Sequence, residues 1–354
     1  MKIAYVVADS LEKPHGVSKK IYNQMKYWKT KGEKVKLFYF SKRPLNKMFH
    51  EFDYEIIKYN SRIDFVLNTK GFYVIKKWAP DIIYFRMYLY SISFHKMVKI
   101  YPSIIEINTD DVMESKISYP KIVRLFHLVT RNKLLEKAAG FVCVTYDLER
   151  KFKYYSNNTI TIPNSVSNPF IGKFSNSKDR KERLQVIFLG SPHQPWHGLD
   201  KIKFLAAELS EVDFHIIGTN ELENTTSNLI QYGFLSEGEY LEVLNKSDVA
   251  IGTLALHRNN MNEASPLKTR EYLKYGVPVI IGYKDSDLLN KAHFVLELPN
   301  EENNIINNMS LIEKFIKNSR RIQILKSDVE HILSDSKEEK RLEFINEVIY
   351  QKSH

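Results

Sequence analysis

The sequence is poor in the features that build disulfide frameworks and membrane spans. Its single cysteine, Cys143, lies in the apolar run 141–144, which excludes a disulfide framework and a thiolate metal site. The first apolar run, residues 3–8, is too short for a signal-peptide core. No stretch approaches the roughly 20 apolar residues of a membrane span. We therefore expect a cytoplasmic protein.

Glycine patterns typical of dinucleotide sites are also missing. The loop after the first apolar run, residues 9–20, contains His15 and Gly16 but no G-x-G-x-x-G. The chain shows neither a short-period repeat nor a low-complexity tract. The dinucleotide fingerprint is thus absent, and Gly16 either allows a close backbone approach to a ligand or is an ordinary turn glycine.

Length and charge indicate the number of domains and the kind of partner. A chain of 354 residues fits two domains of ordinary size. The 52 Lys and Arg against 42 Asp and Glu give a net charge of +10, which suggests a nucleotide, a phospholipid surface or nucleic acid as partner. A nucleic-acid protein would show a basic aromatic patch or a known binding motif, and neither is present. We expect no nucleic-acid partner.

Apolar runs of strand length alternate with helical patterns in both halves of the chain. Such alternation predicts parallel sheets with helices on both faces, and hence an α/β fold of two Rossmann-like, doubly wound domains. In the first half the runs lie at residues 2–8, 34–40, 54–59, 81–86, 103–108, 140–145 and 159–162. In the second half they lie at 184–190, 213–218, 228–233, 248–252, 277–282 and 294–298.

The most informative stretch is the run 263–280. Ser265 is predicted as a helix N-cap and Pro266 as the first helical residue. Gly276 is predicted as the left-handed residue that ends the helix, and Pro278 prevents its continuation. The run therefore predicts one short helix between a loop and a buried strand.

The start of this helix has the properties of an anion site with an acid on either side. The N–H groups of Leu267 and Lys268 lack intrahelical partners, where the helix dipole favours negative charge. Glu263 precedes them and Glu271 follows. Ionised carboxylates accept hydrogen bonds and sugar hydroxyls donate them, so the implied ligand is a phosphate with a sugar at each end. The alternative is a capped surface helix with two solvated acids.

The run resembles the E-x7-E signature of retaining nucleotide-sugar glycosyltransferases of the GT-B fold, in the large family four. The resemblance implies that Glu271 holds the nucleotide ribose and that Glu263 lies beside the donor sugar. The residues between the acids contact the diphosphate in that family, mainly through backbone N–H groups. Here they are Ala264, Ser265, Pro266, Leu267 and Lys268.

The resemblance also implies an arrangement of domains. Residues 1–168 would form the acceptor domain, 169–183 a polar linker, and 184–330 the donor domain, with the two domains facing a cleft. Residues 331–354 would form a helix that crosses back to the first domain. The turn at residues 162–166 is similar to the family's Pro-Asn-Gly-Val turn at the domain boundary. No metal and no cofactor are expected beyond a nucleotide-diphosphate sugar as co-substrate.

The start of the second domain departs from the family pattern. After Gly190, relatives often carry an Arg and a Lys that neutralise the leaving diphosphate, and this chain has Ser191 and His197 in their places. Removing one preorganised donor from such a site typically costs roughly 2.7–4 kcal/mol. His197 in its protonated form, Lys268 and Arg258 are the candidates to compensate.

Two further loops are expected to hold the nucleotide base. One ends the predicted strand at Gly218, and the other contains Phe234. In the first domain many relatives place a histidine near the end of the fifth strand, whereas this chain has Asn108 and Asp110. Asp110 either binds or deprotonates an acceptor hydroxyl, or caps the next helix.

The acceptor and the reaction follow from the resemblance alone. The acceptor would be a lipid-linked saccharide. The reaction would be a sugar transfer in the synthesis of a bacterial capsule or O-antigen type polymer. Residues 121–137 form a candidate basic amphipathic helix that could lie on the inner face of the cytoplasmic membrane, or pack on the core with a solvated basic face. The alternative functions are a non-catalytic GT-B subunit that binds a partner transferase or glycan, and a GT-B nucleotide-sugar epimerase.

Overall fold

Two parallel sheets organise the chain. The computed structural model describes residues 1–172, 182–223, 225–288 and 292–353. The chain divides into a first unit, Met1–Pro163 with Ser334–His354, and a second unit, Asn164–Leu333. Each unit contains one large sheet, as the alternation of apolar runs and helical patterns predicts.

The sheet of the first unit has seven parallel strands in the order β3-β2-β1-β4-β5-β6-β7. They are β1 (Lys2–Ala8), β2 (Lys34–Ser41), β3 (Asp53–Lys58), β4 (Ile82–Arg86), β5 (Ser103–Ile107), β6 (Gly140–Cys143) and β7 (Thr159–Thr161). The strand order reverses direction between β1 and β4, so the crevice beyond their carboxyl ends is the expected ligand position in such a sheet.

Eight helices before residue 153 cover this sheet. They are α1 (Gly16–Thr30), α2 (Arg62–Leu67), α3 (Lys70–Trp78), α4 (Ile92–Ile100), α5 (Asp111–Ser118), α6 (Lys121–Thr130), α7 (Asn132–Leu135) and α8 (Tyr146–Phe152). A 3-10 helix lies at Lys47–Glu51. Apolar side chains of α2, α3, α4, α7 and α8 form the core on one sheet face, and those of α1 form part of the core on the other. Both faces are buried, which explains why the strands are nearly continuous apolar runs.

The sheet of the second unit has six parallel strands in the order β10-β9-β8-β11-β13-β15. The strands of this unit are β8 (Leu184–Leu189), β9 (Val212–Ile217), β10 (Leu229–Gly233), β11 (Val249–Ile251), β12 (Glu263–Ala264), β13 (Val279–Ile281), β14 (Lys284–Asp285) and β15 (Val295–Glu297). Strands β12 and β14 form a separate pair, which the sequence pattern did not predict. Two residues of β12 are too few to show any periodicity.

The helices of the second unit are α9 (Leu199–Glu208), α10 (Glu237–Lys246), α11 (Leu267–Lys274), α12 (Met309–Asn318) and α13 (Lys326–Val329). Short 3-10 helices lie at Pro195–His197, Leu256–Asn259, Ile306–Asn308, Ser319–Arg321 and Glu330–Ile332. The apolar residues of these elements form two cores, one on each face of the six-stranded sheet.

The last helix, α14 (Ser334–Ser353), belongs to the first unit. It packs beside α1, where the buried Trp28 indole donates a hydrogen bond to Glu338 at 3.1 Å. Leu342, Phe344, Ile345 and Val348 complete the core on that sheet face. Within the described ranges, no helix has the length and apolar content to cross a membrane.

The boundary between the units differs from the predicted one. Residues 164–168 group with the second unit, because the Asn164 N–H donates to the Ser265 hydroxyl at 2.8 Å and the Val166 N–H donates to the Ile332 carbonyl at 3.0 Å. Most of the predicted linker, residues 173–181, lies outside the described residues.

Candidate functional site

Helix α11 begins one residue later than the sequence predicts. Pro266 occupies the N-cap position with φ −70° and ψ 138°, and Leu267 is the first helical residue. The prediction of Ser265 as N-cap is therefore wrong. Its hydroxyl instead accepts the Asn164 N–H, and its carbonyl accepts the Asn164 side-chain amide at 2.6 Å. No side chain caps the start of α11, so its first-turn N–H groups remain available to an anion.

The two acids lie on different elements beside this helix start. Glu263, in β12, is 7 % exposed. Glu271, inside α11, accepts a hydrogen bond from the Tyr240 hydroxyl. Burial and the charge of Glu271 raise the pKa of Tyr240, so its phenol stays protonated and fixes one carboxylate oxygen. Tyr240 was not predicted as a site residue, because it precedes Glu271 by 31 residues.

A buried ion pair fixes the segment between these acids. The Arg270 guanidinium is fully buried and binds the Asp285 carboxylate, with one N–O distance of 2.6 Å. Its Nε also donates to the Asn164 carbonyl at 3.1 Å. Because Asp285 pairs with Ala264 across β12 and β14, this contact sets the position of the loop that enters α11. Gly276 ends the helix with φ +70°, as predicted.

Lys268 joins the start of α11 to the end of β8. Its ammonium group donates to the Leu189 carbonyl at 2.8 Å and lies 4.1 Å from the Phe188 ring centre. The Leu189 N–H in turn donates to the Tyr272 hydroxyl at 2.7 Å. Desolvation lowers the pKa of Lys268 to about 7. A bound diphosphate would favour the charged form.

The ends of β8 and β9 approach closely at two predicted glycines. Gly218 has φ +91°, and a Cβ there would lie 2.1 Å from the Gly190 carbonyl oxygen. A Cβ on Gly190 would meet the Phe188 ring at 2.4 Å and His197 Nδ1 at 3.4 Å. Side chains are therefore excluded at both positions. The structure brings Gly190, Lys268 and His197 together at one edge of the sheet.

His197 does not replace a cationic lysine. Its ring is buried against Phe188, and desolvation together with the charge of Lys268 lowers the pKa of His197 to about 2. Its Nδ1 is buried without a hydrogen-bond partner among the described residues. The imidazole is neutral at physiological pH, so it can offer a ligand one hydrogen bond but no charge.

Arg258 is held by carboxylates rather than presented to an anion. Its guanidinium donates to both oxygens of Asp200 at 2.8 Å and also to Glu302. His257 binds the same Glu302 carboxylate at 2.7 Å. This network assigns Arg258 to the connection between α9 and the 3-10 helix Leu256–Asn259. Of the three compensating cations considered from the sequence, Lys268 remains.

Of the two residues predicted for the nucleotide base, Gly218 is buried after β9, whereas Phe234 follows β10 and is 80 % exposed. Ser191, which follows β8 where relatives often carry an Arg, is also exposed. A large exposed aromatic ring is available for stacking against a flat base.

In the first unit, a cavity of about 210 Å³ lies beyond the carboxyl ends of β1, β4 and β5. Its wall includes Asp9, Arg86, Tyr88 and the predicted Asn108. Asp9 and its neighbour Ser10 have φ +54° and +70°, a strained conformation for residues other than glycine. We call this space the inner cavity. The sequence analysis did not identify Asp9, Arg86 or Tyr88 as site residues.

A buried charge network forms the floor of the inner cavity. Glu106 is fully buried and accepts hydrogen bonds from Lys20 at 2.6 Å and from the Tyr84 hydroxyl at 2.6 Å. Burial acts to raise the pKa of Glu106, but Lys20, Arg341 and Arg86 hold it well below its usual value. Lys20 also donates to the Asn108 side chain at 3.0 Å. Asn108 is thereby oriented by the network.

Asp110 caps helix α5, which was one of the two roles expected for it. Its carboxylate accepts the N–H groups of Val112 and Met113 at 3.0 and 3.1 Å and pairs with Lys151 at 2.6 Å. These three contacts establish the capping role and leave about one acceptor position of the carboxylate open on Oδ2.

Gly16 is the first residue of α1, and His15 forms the N-cap with Ser18 in a reciprocal capping box. Gly16 is not among the residues with positive φ. The left-handed backbone in this loop lies instead at Asp9 and Ser10. Gly16 therefore makes no left-handed turn, and the close turn after β1 is made six residues earlier.

Residues 121–137 do not form one continuous basic helix. The segment divides into α6 and α7 at Arg131, whose buried guanidinium binds Asp111 at 2.5 and 2.8 Å. The outer face of α6 is apolar, with Ile122, Leu125 and Val129 exposed at 79, 63 and 67 %. The same segment contains three exposed lysines: Lys121, Lys133 and Lys137.

Solved structures with this arrangement of sheets are known. The chain is similar to sucrose-phosphate synthase from Thermosynechococcus elongatus, with a TM-score of 0.73 and 11 % identity over 98 % of this chain and 99 % of that chain. It is similar to the lipopolysaccharide outer core galactosyltransferase WaaB, with a TM-score of 0.68 and 14 % identity over 99 % and 100 % of the two chains.

The chain is also similar to Anabaena HepE, solved in complex with UDP and glucose. That TM-score is 0.68, with 13 % identity over 98 % and 100 % of the two chains. No protein-family model and no curated protein matches the sequence. At these identities the likeness shows the fold, and the predicted GT-B fold is confirmed.

Proposed function

We propose that the chain is a retaining, metal-independent glycosyltransferase that moves a sugar from a nucleotide-diphosphate sugar to a saccharide acceptor. The observation that carries this proposal is the uncapped start of α11, with Lys268 beside it and Glu263 and Glu271 on either side. Backbone N–H groups and an ammonium suit a diphosphate, and the two carboxylates suit the hydroxyl groups of the sugars attached to it.

The donor binds in the second unit. Glu271, oriented by Tyr240, accepts hydrogen bonds from the ribose hydroxyls. Glu263 lies beside the donor sugar, and the exposed Phe234 ring stacks against the base. The names of the structural neighbours, which include a galactosyltransferase and a complex with UDP and glucose, are consistent with a donor of this class.

The reaction proceeds by same-face displacement. The bond between the anomeric carbon and the diphosphate oxygen breaks, and the electron pair stays on that oxygen. The acceptor hydroxyl oxygen bonds to the anomeric carbon from the same face and transfers its proton to the leaving phosphate. The first turn of α11 and Lys268 stabilise the negative charge that develops.

The acceptor is a lipid-linked saccharide of a capsule or O-antigen type pathway, reached at the cytoplasmic face of the membrane. The apolar outer face of α6 and the exposed lysines of the same segment support this location, since an exposed apolar stripe with basic neighbours suits an anionic bilayer surface. Binding to vesicles with and without anionic lipid, for the wild type and Ile122→Ser/Leu125→Ser, tests it. Equal binding by both proteins would contradict this location.

Hydrolysis of a panel of UDP-, GDP- and ADP-sugars tests the donor reaction. We expect the wild type to hydrolyse one of these nucleotide sugars. Lys268→Gln should lower kcat by a factor of about 10²–10³, the effect typical of removing one hydrogen-bond donor from an oxyanion hole. Glu271→Gln should raise KM. Glu237→Gln, an exposed acid on α10, is the matched control and should behave as the wild type. Failure of every nucleotide to bind would refute the proposal.

A non-catalytic subunit is the second candidate. It is favoured by the neutral state of His197 and by the ion pairs of Arg258, which leave the anion site poorer in positive charge than the family pattern. It predicts nucleotide or glycan binding without hydrolysis, and without transfer to any saccharide acceptor.

A further inference from the structure

A second cavity adjoins the inner cavity in the first unit. This outer cavity has a volume of about 700 Å³ and shares Asp9, Ser10 and Tyr88 with the inner one. The Asp9 carboxylate accepts hydrogen bonds from the hydroxyl groups of Tyr88 and Tyr59, the Tyr88 bond measuring 2.9 Å. The three side chains therefore form a common wall, and a ligand that extends past it would occupy both spaces.

The two cavities differ in charge. The acidic residues that line the inner cavity are Asp9, Glu106, Asp111 and Glu114, and Arg86 is its one lining cation among the described residues. Carboxylates repel a phosphate and accept hydrogen bonds from sugar hydroxyls. A buried Arg86 Nη1 without a hydrogen-bond partner is available to a sugar oxygen. The inner cavity therefore suits an uncharged sugar ring.

The outer cavity is lined by three cations: Lys42, Arg43 and Arg62. Arg43 pairs with Glu12 at 2.8 Å. Lys42 and Arg62 have no carboxylate partner among the described residues, and Lys42 contacts only the Tyr59 ring, at 5.7 Å from its centre. The two acids that also line this cavity are bound elsewhere, Glu12 to Arg43 and Asp9 to the two tyrosine hydroxyl groups. Lys42 and Arg62 therefore suit an anionic group, and phosphate oxygens are strong acceptors for both.

An exposed apolar surface continues from this wall. Helix α2 begins at Arg62 and carries Ile63 and Leu67, which are 72 and 60 % exposed. The two are four residues apart and so lie on one face of the helix. Ile63 itself lines the outer cavity. An apolar chain attached to the bound phosphate could follow this face.

We propose that the two cavities form one acceptor site for a phosphate-linked or diphosphate-linked lipid sugar. The sugar occupies the inner cavity, the phosphate binds Lys42 and Arg62 in the outer cavity, and the first part of the lipid contacts Ile63 and Leu67. This inference rests on the proposed function and deepens it. It makes Lys42 and Arg62 determinants of acceptor specificity.

Calorimetric titration with geranyl diphosphate, a short soluble lipid diphosphate, tests the proposal. UDP, GDP and ADP are present at saturating concentration, so that the second unit is occupied. We compare the full-length wild type with Lys42→Gln/Arg62→Gln and with Lys76→Gln/Lys77→Gln. The second pair removes the same charge from exposed positions on α3, outside both cavities.

We expect the wild type to bind geranyl diphosphate, and binding to weaken by at least about tenfold in Lys42→Gln/Arg62→Gln but not in the control pair. Equal weakening in both pairs would show a general charge effect and overturn the site. Absence of binding by the wild type would also overturn it. If the double variant shows a lower Tm, Lys42→Gln alone replaces it.

Inorganic diphosphate distinguishes a lipid ligand from a free phosphate. Weaker binding of inorganic diphosphate, and a loss of geranyl diphosphate affinity in Ile63→Ser/Leu67→Ser, would support the lipid. Equal binding of both ligands would overturn the lipid contact. Nucleotide binding measured in the same proteins separates this proposal from the donor function. Failure of the wild type to bind any nucleotide would refute the donor function, whereas failure to bind geranyl diphosphate would refute the acceptor site.

Discussion

The anion site of the second unit and the inner cavity of the first unit are built in different ways. The proposed anion site consists mainly of one continuous segment, residues 263–271, which contains the uncapped start of α11 and both acids. The inner cavity is made by side chains that follow three separate strands and rest on a buried ion network. A contiguous site tolerates change in its surroundings, whereas an assembled site depends on every member of its network.

The largest effect is expected from the network of the first unit. Glu106→Gln removes the buried carboxylate that pairs with Lys20 at 2.6 Å and lies 3.9 Å from Arg341, and breaking a buried ion pair typically costs about 3–5 kcal/mol. Urea denaturation measures the loss. Glu343→Gln, an exposed acid on α14 in the same unit, should change stability by less than about 0.5 kcal/mol. Equal effects would remove the distinction between an assembled and a contiguous site.

A pH effect is expected at the anion site. The pKa of Lys268 is lowered to about 7, so in the free protein its charged form predominates below pH 7 and is lost above it. Nucleoside diphosphate binding favours the charged form. Between pH 7 and 9, Lys268 must therefore take up a proton when the nucleoside diphosphate binds. The affinity for the nucleoside diphosphate should fall by up to about tenfold per pH unit in this range.

Calorimetry at several pH values in buffers of different ionisation enthalpy measures this proton uptake. His197, with its pKa lowered to about 2, stays neutral throughout this range and should contribute nothing. Lys268→Gln should flatten the profile. An unchanged profile in this variant would assign the titration to another group.

A smaller effect is expected for Arg258→Gln. Because Asp200 and Glu302 hold this side chain, its loss should lower stability by about 1 kcal/mol and change the donor KM by less than about threefold. Thermal denaturation and donor kinetics measure the two quantities. A tenfold rise in KM with unchanged stability would show that Arg258 contacts the diphosphate after all.

The smallest effect is expected for Asp110→Asn. Asparagine caps helices about as well as aspartate, so α5 should keep its start and transfer activity should remain within about twofold of the wild type. Asp110→Ala, which removes the cap, should cost about 1 kcal/mol of stability. A hundredfold loss of kcat in Asp110→Asn would restore Asp110 as the base.

The sequence was most informative where a site is local. The alternation of apolar runs predicts both sheets, and the segment 263–271 predicts the helix, the acids and the anion site. The helix start was misplaced by one residue, because Ser265 has a distant partner, Asn164, that competes with the cap.

Features that depend on contacts between distant residues could not be predicted. The neutral state of His197 follows from burial against Phe188, and the loss of Arg258 as a free cation follows from two carboxylates 58 and 44 positions away. Asp9 carried one local signal, since it directly follows the first apolar run, but its two tyrosine partners lie 50 and 79 residues further on.

A crystal structure with the most tightly bound of UDP, GDP and ADP tests the central claim most directly. We expect the terminal phosphate within hydrogen-bond distance of the Leu267 or Lys268 backbone N–H, with the Lys268 ammonium on the diphosphate and the ribose on Glu271. A diphosphate bound away from the start of α11, with Glu263 and Glu271 both free of the ligand, would contradict it.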